Sequence, residues 1–162
     1  MRLFLFFPFL LNGVSMSTFE DLFSGVNFKS TVTRYCQQIG WKVAEVDDRH
    51  AMLKFTMESG RNQVLWILRY DKTLEFSVPS MAQFDREEDI PHFLSTVLMR
   101  RSSQKKIGFW CIEEINGRFI YSCMHNAEIQ LMDIPYFRDV VVALISECDE
   151  FEGILLDMLN RQ

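Results

Sequence analysis

The chain has 162 residues, 48% of them apolar, with 15 Phe and a formal net charge of −5. That length and apolar content suit one domain around one core. The acidic balance argues against a nucleic-acid reader, which needs a basic face to displace counterions from phosphates. Residues 1–15, "MRLFLFFPFLLNGVS", hold an apolar run, Leu3–Leu11, too short to span a bilayer. We read them as an over-extended start or, alternatively, a weak signal-like segment with one cation and a mid-run Pro8. "MSTFEDLF" from Met16 reads as an ordinary cytosolic N-terminus, Ser17 capping a helix with Glu20 three residues on. A single domain is expected over 16–162.

Phe28, Val32, Tyr35, Cys36 and Ile39 recur at helical spacing, and Gly40 is the stop. The period then drops to two. Residues 41–47, 51–58, 63–70 and 73–79 read as strands parted by Asp-Asp, Ser-Gly and Asp-Lys turns. "DREEDIP" opens a helix over about 90–102, its acids suiting the positive end of the helix dipole and Pro91 its first turn. Arg100, Arg101, Lys105 and Lys106 follow at the negative end.

A hairpin is predicted over about 107–126, and a last helix over about 134–160. That helix carries Phe137, Val141, Leu144, Cys148, Phe151, Leu155 and Met158 as a seam, with Glu147 among the acids placed elsewhere. The seam suits a helix lying across a sheet, or a coiled coil. The order is helix, three or four strands, helix, two or three strands, helix: an α+β domain, an antiparallel sheet with flanking helices.

This order resembles the YbjN-like and type III secretion chaperone-like family. The residues that carry the likeness are "YCQQIGW", "HAMLKFTMESGRNQVLWILRYDKTLEFSV", "FLSTVLMRRSS", "GFWCIEEINGRFIYSCM" and "FRDVVVALISECDEFEGIL", spanning roughly 18–160. The family is defined by element order and apolar pattern, so no motif transfers residue by residue. The resemblance implies an α/β sandwich, often dimeric, that binds peptide segments of partner proteins and has no known reaction.

The hairpin holds two cysteines and a histidine, Cys111, Cys123 and His125. A two-residue Asn116-Gly117 turn pairs Ile115 with Arg118, and counting outward pairs Cys111 with Ser122 and Trp110 with Cys123. Cys111 and Cys123 then point to opposite faces and share neither a disulfide nor a metal. Cys123 and His125 share a face but supply two ligands, whereas a zinc site needs three or four. Cys148, on the last helix's seam, sits where apolar surroundings make a thiol inert. Cys123 reads as core filler and His125 as a turn or surface residue.

No Gly-rich phosphate loop, nucleophile elbow or paired-acid motif is present. We therefore expect no catalytic residue, no metal and no cofactor. The Trp110, Ile112, Phe119, Tyr121 face should meet the helices. The opposite face offers Phe109, Ile115, Ile120 and Met124 to a protein or peptide partner, beside Glu113 and Arg118.

The expected protein is cytoplasmic, homodimeric and non-enzymatic, a chaperone-like module holding a peptide segment of a partner, without nucleic acid or membrane span. The alternative is a structural or regulatory subunit with one fixed protein partner. An enzyme using Cys123 and His125 is a third reading.

Overall fold

The computed structural model describes residues 27–161; the expectations for residues 1–15 and for a Ser17 cap fall outside them. Helix α1 (Phe28–Ile39) leads into strands β1 (Val43–Val46), β2 (His50–Thr56), β3 (Asn62–Arg69) and β4 (Thr73–Phe84). Helix α2 (His92–Ser102), strands β5 (Phe109–Ile115) and β6 (Arg118–Glu128) and helix α3 (Ile134–Leu159) complete the domain. The six strands form one antiparallel sheet in the order β1-β2-β3-β4-β6-β5. The α+β class and the element order thus match the sequence reading.

Local chemistry accounts for the boundaries. Gly40, at φ 87°, ends α1 in a left-handed cap, its N–H and that of Trp41 reaching back to Gln37 and Cys36 carbonyls. Asp133 caps α3 by accepting the Tyr136 N–H at 2.8 Å, with Pro135 in the first turn. The acids before α2 do not sit in it. Glu87–Asp89 form a separate 3₁₀ turn, where Arg86 grips Asp89, and α2 starts one residue after Pro91. β4 runs past Pro79, where the sequence suggested it would stop. Its ladder with β6 breaks between Pro79 and Gln83, a bulge that tolerates a residue without an amide donor. Buried Glu152 of α3 holds that bulge, accepting the Met81 N–H at 2.8 Å and Gln63 Nε2 at 2.7 Å.

One face of the sheet is the core. Leu53, Leu65, Ile67, Leu74, Phe76 and Val78 are fully buried there, and α3 lays Phe137, Val141, Leu144 and Cys148 across them. α3 is therefore a helix on a sheet rather than a coiled-coil partner, and its seam emerges at its end, where Met158 is 49% exposed. Phe137 packs edge-on against Tyr35 and Phe76 and lies tilted beside Trp41, with ring centroids 5.6, 5.9 and 6.4 Å away.

Glu147, placed off the seam by the sequence reading, is buried instead. It accepts from Arg101 Nε and Nη2 at 2.8 and 3.0 Å and from Trp110 Nε1 at 2.9 Å, and pairs with Lys105 Nζ. Two of the four cations assigned to the end of α2 thus clasp α2 and β5 to α3.

Candidate functional site

The hairpin forms as the turn residues dictate. Asn116 and Gly117 take φ of 53° and 75°, the positive values of a type I′ turn. The β5–β6 register is the predicted one throughout, from Ile115↔Arg118 to Phe109↔Met124. Trp110, Tyr121 and Cys123 are buried on the helix side, whereas Ile112, expected with them, is 44% exposed at the sheet edge.

The thiol and imidazole do not make a reactive pair. Burial pushes the Cys123 thiol up to about 12, and Glu147 adds to this; Cys148 is also pushed up, mainly by burial. His125 departs from its expected surface position. It lies inside β6, half-buried, with Nε2 2.7 Å from Tyr136 Oη and Nδ1 accepting the Gly108 N–H at 3.3 Å. With Nδ1 accepting, Nε2 carries the proton and donates to Tyr136, and burial lowers the ring's pKa. Both nitrogens are thus committed away from Cys123. Gly108, at φ 85°, lets the chain pass so close that a Cβ there would lie 2.7 Å from Leu144 Cδ2. Among the described residues no group of three or more His, Cys, Asp or Glu side chains is placed to hold a metal ion, and no helix is long and apolar enough to cross a membrane.

Two surfaces remain. The first is the sheet face away from the three helices. Cross-strand register places Met52, Val64, Trp66, Leu68, Glu75, Ser77, Ser122, Met124, Cys111, Glu113 and Ile120 on it. Of the residues nominated from sequence, Phe109 is 38% exposed and Ile115 and Ile120 are half-buried. Met124 is only 7% exposed, its sulfur 2.9 Å from Cys111 Sγ.

The second is the edge of β5 under α2. Ser95, Leu98, Met99, Trp110, Ile112 and Tyr121 line most of a largely apolar groove of about 220 Å³, and Met99 is 70% exposed at its rim. Ser102 Oγ takes the Trp110 N–H at 2.8 Å, so that amide points away from β6. By the alternation of an antiparallel ladder the amides of Ile112 and Glu114 point outward too. Sequence reasoning missed this edge because Ile112 was assigned by period two alone, which sorts faces but not edges.

No family model and no curated protein sequence matches the chain. Its structural likenesses include two solved structures. A chain of the HopA1–SchA chaperone–effector complex matches at a TM-score of 0.55 with 13% identity, covering 85% of this chain and 96% of its own. YbjN from E. coli matches at 0.53 with 12% identity, covering 74% and 84%. Identity this low speaks for the backbone arrangement alone. The chain has the YbjN-like, type III secretion chaperone-like fold.

Proposed function

We propose that this chain is a non-enzymatic module that holds a segment of a partner protein against the sheet face opposite the helices. The observation that carries this reading is the one-sided layering. All three described helices pack on one face, while the other keeps Phe109, Ile115, Ile120, Trp66 and Leu68 partly exposed beside an edge strand. Apolar side chains on such a face gain by burial under an extended segment, at roughly 25 cal/mol per Å² before the costs of association. The likeness to a chain from a chaperone–effector complex supports a protein partner. The test is affinity capture from native lysate with wild type and with a Phe109→Asp/Ile120→Lys variant of unchanged melting temperature. Many captured proteins that the variant loses support a holding module; one stoichiometric partner supports a dedicated subunit. Equal capture by both proteins would remove this face from the reading.

A specific observation also favours a second copy of the chain as a partner, at the other surface. Ile112 is the midpoint of β5, and antiparallel self-pairing about it sets Glu113 opposite Cys111, with no like charges facing; the ladder stops short of Trp110, whose N–H Ser102 holds. Met99 of each copy then covers the other's groove. Ile112→Lys is expected to turn a dimer into a monomer by light scattering without unfolding it, since Ile112 lies outside the core; a wild-type monomer at all concentrations would refute the dimer.

A further inference from the structure

Glu75 and Glu113 share the open face of the sheet, and among the described residues neither has a cation paired with it. Glu113 Oε2 accepts the Ser77 hydroxyl at 2.7 Å, a reach from β5 across β6 to β4. Ser122 lies beneath that reach, since Met124 pairs with Ser77, Ile120 with Glu113, and Ser122 stands between them on β6. It is 0% exposed, and its Oγ has no hydrogen-bond partner. A buried hydroxyl without a partner has given up its bonds to water and gained none in return.

Glu75 stands two residues from Ser77 on the same face of β4, beside the Glu113 carboxylate that takes the Ser77 hydroxyl. Burial and then the Glu113 charge raise its pKa, and burial followed by both acids raises the Cys111 thiol. No described arginine, lysine or histidine forms an ion pair with either acid. Of the other acids that are not exposed, Glu147 is paired by Arg101 and Lys105 and Asp149 by Arg61, while Glu152 takes the Gln63 amide and the Met81 N–H. Register sets Leu68 beside Glu75, and Trp66 and Met124 beside Ser77, with Phe109 next to Met124.

We propose that Glu75 and Glu113 form an acceptor for one basic side chain, an arginine above all, presented by an extended apolar segment of a partner protein. A guanidinium is planar and carries five donors, so it can serve two carboxylates at once and, as Glu113 turns from Ser77 to meet it, leave an N–H for the Ser122 hydroxyl thereby uncovered. Trp66 supplies an aromatic face to such a cation, and the apolar ring around the acids excludes water from the contact. Charge complementarity fixes the occupant: a neutral or acidic segment would leave the paired carboxylates with no counterion in a drier site than before.

This inference rests on the partner-holding reading and sharpens it to a partner chemistry. The test uses three capped peptides, Thr-Leu-Thr-Arg-Thr-Leu-Thr, whose Leu and Arg side chains share one face, and its versions with Gln or Glu at the centre, titrated calorimetrically into the full chain and into a Glu75→Gln/Glu113→Gln variant. Wild type is expected to bind the Arg peptide about tenfold more tightly than the Gln peptide, the worth of one charge-assisted contact, and the Glu peptide least. The variant should lose that preference, the ratio of its Arg-peptide to Gln-peptide affinity falling to about one. Equal binding of Arg and Gln peptides by wild type, or an Arg preference that survives in the variant, overturns the acceptor and leaves the partner-holding reading standing. Binding of none of the three also overturns the acceptor, and that reading then stands or falls by the capture experiment.

Discussion

Replacing Phe137 by alanine is expected to destabilise the domain by about 3–5 kcal/mol, the range for a fully buried aromatic ring. The size of the effect follows from position. Phe137 is 0% exposed and touches Tyr35 of α1, Trp41 just past α1 and Phe76 of β4. Truncation empties a site walled by two helices and a strand, none of which can close in without breaking its own contacts. Denaturant unfolding followed by tryptophan fluorescence measures the loss, and Phe137→Leu, which keeps most of the volume, should lose well under half as much. If the alanine variant lost less than about 1 kcal/mol, the three elements would not share the core described.

Glu147→Ala is expected to lose about 2–4 kcal/mol, for a different reason. The side chain is 4% exposed; its removal strands the Trp110 N–H, leaves Arg101 with Glu150 alone and turns Lys105, 37% exposed, to solvent. Most of the loss is the penalty of those missing partners, so a Glu147→Leu/Arg101→Met double variant should be markedly milder than Glu147→Ala. The same cluster predicts acid lability. Burial pushes the Glu147 carboxyl up, but hydrogen bonds from Arg101, Lys105 and Trp110 outweigh it and hold the pKa at about 2, against an ordinary 4.5. A depressed carboxylate stabilises the fold fully above its unfolded pKa. That stability, about 3 kcal/mol, is lost as pH falls from roughly 4.5 through about 2. Acid titration of wild type and Glu147→Gln should therefore differ in slope across that window; parallel curves would show that Glu147 does not carry it.

What could be read from the chain differed by the range of the interaction. The hairpin was legible to the last pair because Asn116-Gly117 fixes both turn type and register within two residues. Each strand of the meander was legible as a unit because alternation is a local property. Glu147 was not legible: acids on a helix are usually solvated, and nothing local shows that Arg101 and Lys105 come from 46 and 42 positions earlier to cover it. The same blindness misplaced His125, whose partners Gly108 and Tyr136 belong to other elements. It also hid the continuation of β4 beyond Pro79, which depends on Glu152 catching the Met81 amide from α3. The candidate partner face was half legible. Period two chose its residues, but only the fold shows that Met124 is covered and that Glu75 and Ser77, from another strand, share the face with Glu113.

The strand order β1-β2-β3-β4-β6-β5 has a consequence for how the chain folds. Every pairing joins chain neighbours except β4 with β6, which must close over α2 and β5. Two hairpin-built pieces can therefore zip independently on microsecond timescales, leaving a single long-range closure to set the folding rate. Truncations along that seam, at Val78 or Cys123, should slow folding, whereas those in the outer β1–β2 pair should chiefly hasten unfolding.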